Sequence, residues 1–386
     1  MKLDFERKQY WFYNEIEKLR ISWMNGSNQL LIRKDFILED TLKKIDIFDM
    51  HKELKISFQD DKVLDAGGLM REWVFLITKQ FKEAGLFEKA DTSEMTYKLK
   101  GENDGKQKFL EMSRAFGTVI AKAIFEKVPV QLYLDRSLIR NLLNQEVELS
   151  DIYTYDQGLY KSWLFLKENN LSQLGSGLDE AFEVFHQKDG VFESYELKPE
   201  GKNIKITESN KDEYLQLSMD FYTKQVIISQ LSGILERFYK VIPLTIIQVF
   251  DPNEFEMILY GTPIINLDDW KINTIYKGAY YNNHQIIKWF WEVLNNYSQE
   301  QLGKILHFCT GSSRTPIDGF RNLMSNRGNI AKFCIESSKY SKDNMFPRGH
   351  TCFNRLELPM YASKDELNQK MDFIINSQLD GLFGLE

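Results

Sequence analysis

The chain has 386 residues, 43% apolar, 13% aromatic and 27% charged, a globular composition long enough for two or three compact units. Its net charge of −7, with both signs interspersed, excludes a surface that tracks nucleic-acid phosphates. No apolar run approaches the ~20 residues that cross a bilayer, so the sequence offers no direct membrane segment.

The first eight residues, Met1 to Lys8, are charged and lack the apolar centre of a secretory signal. Phe5 to Leu19 is dense in aromatics and charges, with Tyr13, Ile16 and Leu19 at helical spacing. Leu54-Lys-Ile-Ser-Phe58 is strand-like. Asp65-Ala-Gly-Gly68 lacks the Lys and Ser/Thr of a phosphate loop and reads as a turn feeding a helix from Arg71. A second helix, Met112 to Lys127, carries the small residues Ala115, Gly117, Ala121 and Ala123 that permit close packing.

From about Asp151 to Tyr214 the pattern shortens, as in a small mixed subdomain inserted into a helical one. Val191 to Leu197 and Asn203 to Thr207 are its expected strands, with a turn at Lys198-Pro-Glu-Gly201. Tyr214 to Lys240 is expected to be one long helix. A further helix ends at Gly261-Thr262-Pro263, a hinge candidate, and the main domain boundary is placed there: 1–262 and 263–386.

The last ~120 residues suit an α/β unit of their own. Ile286, Ile287, Phe290, Val293, Leu294 and Tyr297 form a helical stripe. Ser298 with Gln301, and Ser363 with Glu366, are capping boxes that open two further helices. Phe353 to Leu358 alternates as a strand does.

The cysteines are Cys309, Cys334 and Cys352, with no CxxC pair, which supports neither a disulfide framework nor a zinc knuckle. A reducing cytoplasmic or nuclear setting suits that usage. His51, His186, His284 and His307 lack metal-ligand spacing, so no metal is expected. No GxSxG elbow or dinucleotide fingerprint is present.

Cys309 continues the apolar face of Leu302, Ile305 and Leu306, and Cys334 lies in the apolar run Lys332-Phe-Cys-Ile335; both read as small buried hydrophobes. Cys352 follows Pro347, Gly349 and His350 at a loop-to-strand junction, where reactive groups concentrate. Residue chemistry alone leaves it between a loop thiol and a nucleophile. His350, Arg348 and Arg355 are local groups that would favour a thiolate. His350 is equally well read as a turn histidine bonded to backbone. A cysteine hydrolase would need a remote His oriented by a carboxylate, and only His350 lies near in sequence.

Phe346-Pro-Arg-Gly-His-Thr-Cys-Phe-Asn-Arg-Leu-Glu-Leu-Pro359 resembles the active-cysteine segment of HECT-type ubiquitin ligases. Other segments match the same family in order: Asp65-Ala-Gly-Gly-Leu-Met-Arg-Glu-Trp73, Gly85-Leu-Phe87, Arg114-Ala-Phe-Gly117, Glu196-Leu-Lys-Pro-Glu-Gly201 and Asn210-Lys-Asp-Glu-Tyr214. Asp268 to Gly278, Ile287-Lys-Trp-Phe-Trp291 and Thr310-Gly-Ser-Ser-Arg-Thr-Pro316 complete the series. The resemblance runs from about Phe5 to Glu386 and is nearest to the branch that carries WW repeats upstream. No such repeats or lipid-binding domain are present here, so the chain reads as a catalytic fragment or a minimal ligase.

The resemblance implies an α+β, bilobed fold. A large, mainly helical N-lobe (1–262) would bind the ubiquitin-conjugating enzyme through the inserted subdomain (about 151–214), with Trp163, Leu166 and Phe182 lining the groove. A hinge at Gly261, Thr262 and Pro263 would lead to a smaller α/β C-lobe (263–386). Cys352 would take ubiquitin as a thioester and pass it to a lysine of a protein substrate. His350 and Thr351 would support it, and Phe383 matches the family's functional aromatic four from the C-terminus. Glu386 or Asp380 would orient the lysine amine or accept its proton. The strand Phe353 to Leu358 would accept the ubiquitin tail by edge pairing, with Phe353, Asn354, Arg355 and Leu356 as contacts. No cofactor is implied, because the energy arrives in the thioester.

Some residues depart from the family. Of the aromatic patch by which many relatives bind a second ubiquitin, only Phe87 remains. Gly349 stands where Ala or Ser is commoner, a change expected to loosen the loop, and Cys309 replaces an aliphatic residue.

Overall fold

The computed structural model describes residues 4–59, 68–92, 96–171, 180–188, 190–262, 264–316, 319–323, 330–341 and 345–376. The chain divides into two compact units. One comprises Met1–Gln59, Ile77–Glu126 and Leu132–Phe255; the other comprises Asp60–Leu76, Lys127–Gln131 and Glu256–Glu386.

In the first unit, helix α1 (Phe5–Leu19) starts where the Asp4 carboxylate accepts the Arg7 N–H at 2.9 Å. Its buried Phe12 packs edge-on against Phe250, 5.0 Å between ring centres. Strands β1 (Asn28–Ile32) and β2 (Leu54–Phe58) pair in parallel across the crossover helix α2 (Ile37–Ile45). Alternation buries Leu30 and Ile32 beside Leu54, Ile56 and Phe58. β2 is the expected strand; β1 was not apparent in the sequence.

Helix α3 (Gly68–Glu83) leads to the antiparallel pair β3 (Phe87–Lys89) and β4 (Tyr97–Leu99). Phe81 and Phe87 are buried against Phe116, with ring centres 5.6 and 4.8 Å away. Phe87 is therefore core, not the remnant of a ubiquitin-binding patch.

Helix α4 (Gln107–Phe125) is the small-residue helix of the sequence, and almost all of its second half is buried. Lys122, wholly buried, donates to the carbonyls of Met50 (2.8 Å) and Lys52 (3.0 Å) and to Glu126 (2.6 Å), so its charge is fully partnered. Burial pushes its pKa down.

Helices α5 (Arg136–Leu142) and α6 (Gln157–Glu168), the antiparallel hairpin of β5 (Glu183–Lys188) and β6 (Val191–Glu196), and helix α7 (Lys211–Thr223) follow. Val147, Ile152, Trp163, Leu166, Phe182, Ile206, Tyr214, Leu215 and Met219 make one local core. Lys211 fastens the end of α6, donating to the carbonyls of Asn169 (2.9 Å) and Lys167 (3.3 Å). Asn203 to Thr207 forms no strand; only Lys205 makes an isolated pairing, with Ala181.

The expected single helix from Tyr214 to Lys240 is two. α7 ends at Thr223, a tight turn spans Gln225–Ile227, and α8 (Ile228–Val241) begins anew. α8 lies against α4 at Gly117, where a Cβ would meet the Ile234 carbonyl at 2.3 Å. The short α9 (Leu244–Ile247) and α10 (Pro252–Tyr260) close the series, and the division between the units falls inside α10.

The second unit contains α11 (Leu267–Ile272), β7 (Ile275–Lys277), α12 (Gln285–Leu294), α13 (Gln299–Thr310), β8 (Cys334–Ser338), β9 (Arg348–His350), β10 (Arg355–Pro359) and α14 (Lys364–Asn376). Its sheet has the order β7-β8-β10-β9, with β9 antiparallel to β10 and the other pairs parallel. Ile335, Leu356 and Leu358 share one core with Phe290, Leu302, Ile305, Leu306, Cys309, Met371 and Ile374. Both capping residues do their work: Ser298 and Gln301 form a reciprocal box, whereas Ser363 accepts from Glu366 and the Glu366 carboxylate reaches back to the Ala362 N–H.

Candidate active site

Cys352 lies in the middle of a three-residue 3-10 turn, Thr351–Phe353, that joins β9 to β10 at the end of the sheet. Its two rivals are buried in the same unit, and burial raises the pKa of both thiols. Neither is poised for attack. Cys352 is thus the cysteine whose backbone lies in a turn between two strands of the sheet.

The turn is held from three directions. On its N-terminal side, buried Gly349 passes so close to α13 that a Cβ would meet the Phe308 carbonyl at 2.0 Å. Gly349 therefore fits β9 tightly to α13 and does not loosen the loop. On its C-terminal side, Asn354 adopts a left-handed conformation (φ 47°, ψ 45°). Across the turn, His350 and Arg355 are register partners.

His350 ends β9 with its side chain mostly buried. Its Nε2 lies 3.2 Å from the Glu357 carboxylate, and its side chain is 11% exposed. Arg355 donates to Glu336 at 2.8 Å and lies 5.6 Å from the ring of Phe353. Basic and carboxylate side chains thus alternate around the turn. Among the described residues, no cluster of His, Cys, Asp and Glu could hold a metal ion.

A family profile described as HECT-domain (ubiquitin-transferase) matches residues 75–386. The chain belongs to the HECT-domain family. Among curated relatives, it is 34% identical to the mouse (Mus musculus) E3 ubiquitin-protein ligase HUWE1, over 99% of this chain and 9% of that protein. It is 32% identical to human (Homo sapiens) HECW1, over 99% of this chain and 24% of that protein. It is 34% identical to pub1 of Schizosaccharomyces pombe, over 100% of this chain and 49% of that protein. The chain thus spans at most about half the length of these relatives.

Within this HECT domain, several residues expected as contacts are buried. Trp163, Leu166 and Phe182 are 4%, 5% and 0% exposed and belong to the local core, so they cannot line an open groove. Beside them Phe165, Phe185, Val191 and Phe192 are 50 to 70% exposed. A signal for the last two was legible: adjacent apolar residues on a strand point to opposite faces, so a thin hairpin must expose at least one.

Of the expected ubiquitin-tail contacts, Phe353 is exposed and Arg355 is partly so, but Asn354 and Leu356 are completely buried. The strand itself begins at Arg355, not Phe353, and β10 is bonded on both sides, to β8 and β9. Its first three residues, Arg355–Glu357, therefore have no free edge to accept a tail; among the described residues the sheet's edge strands are β7 and β9.

Gly261 has φ 90°, and a Cβ there would meet the Thr315 carbonyl at 2.1 Å. Thr262 and Thr315 exchange two backbone hydrogen bonds, 2.9 and 3.0 Å. Pro263, Asp380, Phe383 and Glu386 lie outside the described residues. No helix among the described residues is long and apolar enough to cross a membrane.

Proposed function

We propose that this HECT domain is the catalytic part of a ubiquitin-protein ligase, and that Cys352 accepts ubiquitin as a thioester and transfers it to a substrate lysine. The observation that carries this reading is the position of Cys352 at the turn between β9 and β10, while Cys309 and Cys334 are buried.

In the first step, the Cys352 thiolate attacks the carbonyl carbon of the thioester joining ubiquitin's C-terminal glycine to the conjugating enzyme. The new C–S bond replaces the old one, and the conjugating enzyme's cysteine leaves as thiolate. Two similar thioesters are exchanged, so the step is nearly isoenergetic and depends on positioning more than on acid or base strength. Arg348, Arg355 and His350 border the turn together with Glu336 and Glu357, a surround of mixed charge that leaves positioning as the main contribution. In the second step, an uncharged lysine amine attacks the same carbonyl carbon, Cys352 leaves as thiolate, and the amine sheds a proton to a base, forming the isopeptide bond. The tail groups Phe383, Asp380 and Glu386 are assigned to this step.

We assign the docking of the conjugating enzyme to the exposed apolar residues Phe165, Phe185, Val191 and Phe192, in place of the buried trio. The bilobed plan, with a hinge at Gly261 to Pro263, and a reducing cytoplasmic or nuclear setting belong to the same reading.

A mixture of activating enzyme, conjugating enzyme, ATP and ubiquitin should produce a thiol-sensitive ubiquitin adduct of the chain. A Cys352→Ala variant that still forms the adduct would sink the assignment.

A further inference from the structure

We infer that Asn354 is the positioning residue of the Cys352 turn: its side-chain amide clamps that turn to the segment before β8 and so fixes where the nucleophile is presented. The inference rests on the reading of Cys352 as the ubiquitin acceptor.

Four observations carry it. Asn354 follows the Cys352 turn directly and is its C-terminal cap, its N–H reaching back to the Thr351 carbonyl at 3.4 Å. It adopts a left-handed backbone, one of four non-glycine residues with positive φ among the described residues. Asparagine tolerates that conformation where most side chains are strained. Its side chain is wholly buried, and Nδ2 donates to the Ala331 carbonyl at 2.9 Å, 23 positions away in sequence. Its own carbonyl accepts the Cys334 N–H at 2.9 Å. Two bonds therefore tie one residue to the first residue of β8 and to the segment just before it.

The fourth observation decides which part of the side chain matters. Oδ1 is buried and, among the described residues, has no hydrogen-bond partner. A stranded buried acceptor is unfavourable, and an apolar residue or glycine would avoid it. What the amide provides at this position is the Nδ2 donor, the side-chain atom that makes a hydrogen bond among the described residues. Glycine would keep the left-handed backbone and lose the clamp. Aspartate would keep the shape and backbone tolerance, but would turn an oxygen toward the Ala331 carbonyl.

Asn354 is too buried to touch ubiquitin, so its effect must pass through the turn. That gives it a signature that separates positioning from thiol activation. A small electrophile approaches the thiol from any direction. A folded conjugating enzyme carrying ubiquitin must meet it at one place and angle.

The test is single-turnover transfer of ubiquitin from a pre-charged conjugating enzyme, at varied conjugating-enzyme concentration, to the unaltered chain, Asn354→Gly and Asn354→Asp. In parallel, alkylation of Cys352 by iodoacetamide is followed by mass spectrometry, and folding by thermal melting. In either folded variant the maximal transfer rate should fall ~10–100-fold. The half-saturating concentration and the alkylation rate should be unchanged. A folded variant that transfers at the unaltered rate overturns the inference, and so does a matching fall in alkylation. If glycine alone prevents folding, the aspartate variant decides. If both prevent folding, the clamp serves stability and the positioning role is wrong. Absence of any adduct on the unaltered chain would defeat the thioester reading itself, a result distinct from all of these.

Discussion

The backbone of Gly349 runs against the carbonyl oxygen of Phe308 in the last turn of α13, with no room for a Cβ. β9 therefore lies directly on the helix, and the Cys352 turn begins two residues later at Thr351. Gly349→Ala should force β9 away from α13 and destabilise the chain by about 1–3 kcal/mol. Ubiquitin loading should slow in step, because the displaced strand carries His350 and leads into the turn. Urea denaturation with an unchanged midpoint would show that the contact relaxes freely.

The two sets of aromatics in residues 147–222 should separate cleanly by experiment. Trp163→Ala removes a buried side chain and should cost about 3–5 kcal/mol of stability. Phe192→Ser, on the exposed hairpin, should change stability by no more than about 0.5 kcal/mol. Yet Phe192→Ser, and more so the double change with Phe185→Ser, should weaken transfer from the conjugating enzyme by raising its half-saturating concentration. Denaturation midpoints and loading kinetics on the same preparations check both halves.

Asp135, the N-cap of α5, is buried, and burial raises its pKa from 3.8 to about 6 against the opposing bonds from Ser137 and Leu138. The folded state therefore holds this proton more tightly than the unfolded state. Its stabilising contribution is complete below about pH 4 and is lost as pH rises through about 6. Asparagine keeps a capping oxygen without the charge. Asp135→Asn should gain stability over the unaltered chain as pH rises from 4 to 7, by on the order of 2–3 kcal/mol. Urea midpoints of both proteins across that range test it; parallel curves would contradict it.

The sequence was informative where structure is local. Phe5–Leu19 and Leu54–Phe58 have the expected limits because helical spacing and strand alternation are written in consecutive residues. The Ser298 box marks α13 for the same reason. Cys352 stands out in the sequence only through the ordered family segments around it, and its role is the proposal tested below. Pairing between distant segments was not. β1 has little pattern of its own and is a strand because β2 lies beside it. β10 looked like an edge, but β8, some twenty residues upstream, and β9 bond both its sides. Burial misled at Trp163, Leu166 and Phe182, since large apolar side chains suit a core and a groove equally well. The long helix expected from Tyr214 to Lys240 breaks at Lys224, where no Gly or Pro marks the interruption.

The most direct test of the central claim is to trap the intermediate. Cys352→Ser should accept ubiquitin as an oxyester, stable to reducing agents and cleaved by hydroxide. After trypsin digestion of the charged protein, a glycyl-glycine remnant is predicted on residue 352. A remnant on Cys309 or Cys334, or an undiminished reductant-sensitive adduct in the serine variant, would contradict the account.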